Sequence, residues 1–296
     1  MIHLRAPAKL NLYLRVLGRR PDGYHEIETL FERIDLADEM TFEEHPQEVR
    51  LTCTDPELSC GEDNLVLKAA RLLQQSGGAQ QGTRIHLTKR IPIAAGLGGG
   101  SSDAATTLLG LNELWGLQFE LRQLVELAAK LGSDVPFFLS EVSFAIGRGR
   151  GETCEPIVGG SRLFHILVCP NTRLSTKEIY DGAQFDLTAS KPSITMVLHA
   201  LRNGPAMAGL ATGLWNDLEP EAIRRCPVIP LIQSHLREWG SLSAQVSGSG
   251  PSVFGLCRDL AHAQDVATRI RARSADSWRI EIIQTDSPAR VVTPST

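Results

Sequence analysis

Ile91-Pro92-Ile93-Ala94-Ala95-Gly96-Leu97-Gly98-Gly99-Gly100-Ser101-Ser102-Asp103 is the stretch whose reading decides the fold. Before it, Thr83 to Lys89 alternates, with Ile85 and Leu87 set against Arg84, His86 and Thr88, which predicts a strand. After it, Ala104, Ala105, Leu108, Leu109, Leu111 and Trp115 recur at helical spacing, with Ser or Asp as the expected cap. Glycines between a strand and a helix N-terminus let backbone N–H groups approach an anion. The helix dipole adds its positive end, so phosphate is the natural ligand. A Walker loop needs Gly-Lys-Ser/Thr at its end, whereas Gly100 runs into Ser101 with no lysine in the loop, which excludes that class. The dinucleotide fingerprint also fits poorly, because Ser101 holds its third glycine position and the flanking chain is not a run of βαβ units. Standing alone, such a loop would serve equally well as a flexible connector.

Upstream, the loose alternation from Ile2 to Leu17 followed by Arg19-Arg20-Pro21-Asp22-Gly23 predicts a strand entering a turn. Glu28 to Asp35 and Glu39 to Cys53 read as two further strand patches. Asp63-Asn64 opens a helix through Leu65, Val66, Ala69, Ala70 and Leu73 that should stop near Gly77-Gly78. Downstream, Leu121, Leu124, Val125, Ala128 and Leu131 form a second amphipathic helix ending at Gly132. In Ser133-Asp134-Val135-Pro136 the proline blocks helix continuation and leaves Asp134 in a bend, available for chemistry. The Gly147-Arg148-Gly149-Arg150-Gly151-Glu152 run, with Gly159-Gly160-Ser161 beyond it, is the most linker-like part of the middle. A strand over Leu163 to Cys169, a helical turn over Thr176 to Tyr180 and helices over Lys191 to Leu201 and Ala261 to Ile270 follow. Ser247-Gly248-Ser249-Gly250-Pro251 lies between two apolar strands, and Ser287 to Thr296 reads as a frayed tail.

With 296 residues, about twice a usual domain, the chain suggests two closely packed domains. Its 42% hydrophobic and 22% charged residues can build a substantial core, so wholesale disorder is excluded. The 34 acids against 30 bases leave a net charge of −4 and no basic run to follow a phosphate backbone, so nucleic acid is not the expected partner. No window approaches the roughly 18 apolar residues of a membrane span, and Arg5, Lys9 and Arg15 stand where a signal peptide needs its apolar core. A cytoplasmic protein without membrane contact is expected. The six cysteines form no C-x-x-C pair and are expected as reduced thiols. None of the histidines apart from His25 is assigned a role, and no metal-ligand spacing is present.

The Pro92 to Asp103 segment resembles the second motif of the GHMP kinases, and Ser247-Gly248-Ser249-Gly250-Pro251 resembles their third, so the pair is far more specific than one loop. Within that superfamily, Ala6-Pro7-Ala8-Lys9-Leu10-Asn11-Leu12-Tyr13-Leu14 and Gly18-Arg19-Arg20-Pro21-Asp22-Gly23-Tyr24-His25-Glu26 look like the branch that phosphorylates a cytidine-diphosphate-linked methylerythritol for isoprenoid synthesis. Glu62-Asp63-Asn64-Leu65-Val66, Gly132-Ser133-Asp134-Val135-Pro136-Phe137-Phe138 and Asn216-Asp217-Leu218-Glu219 agree, so the resemblance covers nearly the whole chain. Ala94-Ala95 depart from it, standing where many members carry glycine.

The resemblance implies an α+β, two-domain GHMP kinase fold: an N-terminal ATP-binding domain like ribosomal protein S5 domain 2 over 1–157, a ferredoxin-like domain over 158–286, and a flexible tail over 287–296. It implies Lys9 and Asp134 as the catalytic pair. Gly96, Leu97, Gly98, Gly99, Gly100, Ser101 and Ser102 would bind ATP phosphates, with the two hydroxyls on phosphate or Mg²⁺. Asn64 would lie near the adenine, although as a residue it reads equally as a helix N-cap. Asn11, Tyr24, His25, Tyr180, Ser247, Gly248, Ser249 and Gly250 would bind the acceptor, with Tyr24-His25 and Tyr180 on opposite sides of the cytosine. ATP and Mg²⁺ are the implied cofactors, with no dedicated protein metal ligand. A monomer or weak homodimer acting on small molecules is expected. Two alternatives stay open: another GHMP kinase of mevalonate or homoserine type, and a non-catalytic nucleotide sensor on the same fold.

Overall fold

A computed structural model describes residues 1–140, 142–188, 190–202, 207–273 and 278–286. The tail expected over 287–296 lies outside the described residues. The chain opens with two long antiparallel strands, β1 (Ile2–Arg19) and β2 (His25–His45), joined by a tight turn in which Gly23 takes φ +87°. The register slips between Pro7 and Ala8, between Asn11 and Tyr13, and between Val16 and Gly18, and such bulges let long strands bend. The two patches read upstream are a single strand up to His45, and only then does Pro46 interrupt pairing before β3 (Val49–Cys53). Helix α1 (Leu65–Gly77) runs from an Asn64 cap to left-handed Gly78, and β4 (Gly82–Thr88) leads into the glycine loop.

Helix α2 (Gly99–Leu114) starts earlier than its side chains suggested. Its cap is Gly98 at φ +70°, with no side-chain cap hydrogen bond, so neither Ser nor Asp caps it and Ser101, Ser102 and Asp103 lie inside its first turns. Helix α3 (Leu121–Leu131) stops at Gly132 as expected. Pro136 then does more than block a helix: it sits in the first turn of α4 (Val135–Leu139), where a missing N–H costs nothing. The 147–152 run expected as a linker is instead a hairpin turn joining β5 (Phe144–Arg148) to β6 (Thr153–Ile157).

Beyond it come β7 (Phe164–Pro170), α5 (Thr176–Gly182), α6 (Ile194–Arg202), α7 (Met207–Gly213), β8 (Trp215–Asn216), α8 (Glu219–Arg225), α9 (Ile229–Glu238), β9 (Gln245–Val246), β10 (Val253–Cys257), α10 (Leu260–Arg273) and β11 (Trp278–Gln284). One sheet has the order β3-β4-β2-β1-β8, with β5 and β6 continuing from β2; the other is antiparallel, in the order β11-β7-β10-β9. Helices α1 to α4 cover the first sheet through Phe42, Leu73, Leu108 and Leu124, and α9 and α10 cover the second through Ile232, Leu236, Val266 and Ile270. Between the sheets, Leu10, Leu12, Leu30, Ile34, Phe144, Leu167 and Phe254 form a shared core. The period-two alternation of β1 places the site: Ala8, Leu10 and Leu12 enter that core, so Lys9 and Asn11 face the opposite way, into the cleft. Buried across the sheets, Glu32 lies 2.8 Å from His165 Nε2 and accepts a 2.6 Å hydrogen bond from the Thr285 hydroxyl.

Candidate active site

Two glycine loops meet back to back over Lys9. Gly96, at φ +78°, lies so close to the second loop that a Cβ there would fall 2.1 Å from the Ser247 carbonyl oxygen. A Cβ on Gly248 would fall 2.9 Å from Asn11 Oδ1 and 3.1 Å from Lys9 Nζ. The loops are tied by Ser247 Oγ donating to the Gly96 carbonyl at 3.1 Å, and Asn216 Nδ2 holds the second loop through the Val246 and Gly248 carbonyls. Lys9 is buried between them. Its backbone N–H donates to Leu97, and its Nζ donates to Asn11 Oδ1 and to the Gly96 carbonyl at 2.9 Å. Asp134 Oδ2 lies 3.6 Å from that ammonium and the Phe31 ring 5.9 Å from it. Burial pulls the Lys9 pKa below the ordinary lysine value, and the facing Asp134 carboxylate opposes that shift.

A cleft opens beside these residues. It has a volume of about 1020 Å³, and Lys9, Asn11, Asn64, Gly96 to Gly100, Ser101 and Asp134 line one stretch of it. Gly98 to Ser101 make up the opening turn of α2, which the Ser102 N–H closes by donating to the Gly98 carbonyl at 2.9 Å. The amides of that opening turn have no intrahelical acceptor, which is the condition for anion binding. Ser102, whose hydroxyl was expected on phosphate or Mg²⁺, has its side chain carried inward by the early helix start, and among the described residues that hydroxyl is buried without a partner. Ser247 and Gly250, expected on the acceptor, are likewise buried away from the cleft wall, and only Gly248 and Ser249 of that motif reach it. Asn64 caps α1 by accepting from the Val66 N–H at 2.9 Å, and it also lines the cleft. Ala94 takes φ +52°, a glycine-type conformation held by an alanine.

The residues expected on the cytosine, Tyr24, His25 and Tyr180, also line the cleft. His25 and Tyr180 stack on each other with centroids 5.2 Å apart and planes at 26°. Phe185 meets the His25 ring edge-on, also at 5.2 Å. Tyr24 is 54% exposed, with the Arg150 guanidinium 4.7 Å from its ring centroid. Burial, helped by Arg19, lowers the His25 pKa, which leaves a neutral imidazole with one donor and one acceptor at neutral pH. Burial raises the Tyr180 phenol, with Asp134 adding to the shift.

Sequence reasoning missed the charged floor beneath the glycine loop. Lys89 is buried, donating to Asp103 Oδ2 at 2.8 Å and to Asp38 Oδ2 at 2.5 Å, while Asp38 Oδ1 also accepts from the Arg90 and Ile91 N–H groups. Two carboxylates share one cation, and burial pushes the Asp103 carboxyl up to about 7. The signal lay in the position of Lys89, at the end of the strand entering the loop, but its two partners are 51 and 14 residues away in sequence. Arg150 and Phe185 were missed as well. The Arg150 turn had been read as a linker, and Phe185 carries no motif.

Comparisons with known proteins give the family of the chain. Residues 64–141 match the GHMP kinases N terminal domain and residues 197–276 the GHMP kinases C terminal model. The 4-diphosphocytidyl-2-C-methyl-D-erythritol kinase of Pelotomaculum thermopropionicum is 44% identical over 90% of this chain and 92% of its own length. A crystal structure of 4-(cytidine 5'-diphospho)-2C-methyl-D-erythritol kinase superposes with a TM-score of 0.79 at 36% identity, covering 96% of this chain and 99% of the other. A homoserine kinase from Cytophaga hutchinsonii, 20% identical and with a TM-score of 0.76 over 97% and 94% of the two chains, shares the fold. The chain therefore belongs to the GHMP kinases, in the 4-diphosphocytidyl-2-C-methyl-D-erythritol kinase family.

Proposed function

We propose that the chain transfers the γ-phosphoryl group of ATP to the 2-hydroxyl of 4-diphosphocytidyl-2-C-methyl-D-erythritol, in non-mevalonate isoprenoid synthesis. The observation that carries this reading is that one cleft is lined by Asp134 and Lys9, by the glycine loop, and by Tyr24, His25 and Tyr180. The amides from Gly98 to Ser101 receive the ATP phosphates. Asp134 accepts the hydroxyl proton as the new O–P bond forms and the β–γ bond breaks, and Lys9 offsets the developing alkoxide charge. Tyr24 supplies an apolar face for the cytosine, and neutral His25 can pair with its edge.

Among the described residues no group of three or more His, Cys, Asp or Glu is arranged to hold a metal. The cleft does offer a hard oxygen donor, the Ser101 hydroxyl, which fits a Mg²⁺ that keeps most of its ligands on phosphate and water. Bound there, Mg²⁺ would neutralise phosphate charge. The division into an ATP-binding part over 1–157 and a second part over 158–286 belongs to the same proposal, supported by the second sheet's being built wholly of strands that follow β6, while the short β8 returns to the edge of the first sheet beside β1. So does a cytoplasmic monomer or weak homodimer; no helix among the described residues is long and apolar enough to cross a membrane. ATP consumption by the purified protein with the cytidine-linked acceptor, beside mevalonate and homoserine, tests the reading. Turnover of mevalonate or homoserine in preference would replace it.

A further inference from the structure

Among the described residues, four lysine and arginine side chains line the cleft: Lys9, Lys89, Arg150 and Lys177. Lys9 is committed to Asn11, Gly96 and Asp134, and Lys89 to two buried carboxylates. An acceptor built as cytidine, diphosphate and polyol must place its diphosphate between the base-reading residues and the catalytic acid. Arg150 sits in that interval. Its guanidinium lies 4.7 Å from the Tyr24 ring centroid, and a Cβ on the next residue, Gly151, would fall 3.8 Å from Asp134 Oδ1.

The turn that carries Arg150 is built rather than slack. Gly149 and Gly151 take φ +73° and +110°, and Glu152 Oε2 accepts from the Arg150 backbone N–H at 2.6 Å. The Gly149 carbonyl accepts from the Ile27 N–H at 2.7 Å, tying the turn to the strand that begins with His25. Glu152 Oε1 lies 3.6 Å from Arg150 Nε, yet among the described residues neither terminal nitrogen of the guanidinium makes a hydrogen bond. Those two nitrogens form the edge that binds phosphate oxygens in a bidentate way. Lys177, by contrast, is an exposed residue in the first turn of α5.

Resting on the proposed reaction, we infer that Arg150 is a specificity-determining residue that binds the diphosphate of the acceptor, so that the enzyme reads a nucleoside diphosphate rather than a nucleoside. The test is steady-state kinetics of Arg150→Ala, Arg150→Lys and Lys177→Ala, with CDP and cytidine as competitors of the acceptor. In Arg150→Ala, acceptor KM and CDP Ki should rise about tenfold or more, the scale of a lost charge-assisted hydrogen bond. Cytidine Ki and ATP KM should stay near wild type, and Arg150→Lys should recover part of the CDP affinity. An equal rise in cytidine Ki would overturn the inference, because Arg150 would then only support the Tyr24 ring. An unchanged CDP Ki in Arg150→Ala, or loss of CDP affinity in Lys177→Ala instead, would overturn it as well. Wild-type protein that leaves the cytidine-linked acceptor unphosphorylated would remove the proposed reaction and this assignment together.

Discussion

Gly96→Ala tests whether the contact between the two glycine loops sets the position of Lys9. The new Cβ would lie 2.1 Å from the Ser247 carbonyl oxygen and 2.9 Å from the Gly250 nitrogen, where ordinary contact begins near 3.4 Å. Both atoms are backbone, so no rotamer relieves the clash, and the loops must part by roughly 1.3 Å (3.4 − 2.1). Alanine at φ +78° adds a left-handed penalty of about 1–2 kcal/mol. The Gly96 carbonyl accepts from Lys9 Nζ at 2.9 Å and from Ser247 Oγ at 3.1 Å. Loss of one of these costs about 1 kcal/mol more. A total destabilisation of roughly 2–4 kcal/mol should lower Tm by at least about 4 °C. A displacement near 1 Å at the catalytic lysine should lower kcat by about 10²-fold, since positioning errors of that size cost that much. Calorimetric melting and steady-state kinetics read both effects. Gly100→Ala is the stability control, because its Cβ meets nothing nearer than Leu65 Cδ1 at 3.7 Å. A Gly96→Ala protein melting within about 1 °C of wild type and keeping its kcat would refute the reasoning.

Asp134→Asn should lower kcat by about 10²-fold or more while ATP binding, followed by titration calorimetry, persists; a near-normal kcat would remove the base assignment. Tyr24→Ala and His25→Ala should each raise acceptor KM by roughly tenfold and leave ATP KM alone, and a parallel rise in ATP KM would mean that neither residue reads the base. The Asp103 carboxyl, raised by burial from an ordinary 3.8 to about 7, keeps in the folded state a proton that the unfolded chain releases. Stability from this group is therefore present at low pH and falls as pH rises towards and through 7, by about 1.4 kcal/mol between pH 6 and 8. Denaturant titrations at the two pH values should show that loss in wild type and a flatter profile in Asp103→Asn. Ala94→Gly, at φ +52°, exchanges a left-handed penalty of about 1–2 kcal/mol for a glycine entropy cost of about 0.5–1 kcal/mol, so its melting temperature should hold or rise slightly.

By itself the sequence determined what depends on neighbours along the chain. The alternation over Thr83 to Lys89, the helical spacing after Asp103 and the Gly78 and Gly132 stops are local patterns, and each became the element it predicted. The motifs likewise named both catalytic candidates and the phosphate loop, because family-specific spacing is written in sequence. Tertiary structure decided the rest. Where the segment from Glu28 to Cys53 breaks, after His45 rather than between Asp35 and Glu39, depended on β1 pairing with β2 across its bulges, and the 147–152 glycines became a hairpin only because β5 found β2 as a partner. Capping of α2 passed to Gly98 because the loop must pack against the Lys9 stem and Phe138, which lie within 3.1 Å of where a Gly98 Cβ would be. The Lys89 triad, the contact of Gly96 with Ser247 and the stacking of His25 on Tyr180 join residues from 14 to 155 positions apart. Charge pairing and close approach at such separations are properties of distance in space, which local periodicity does not encode.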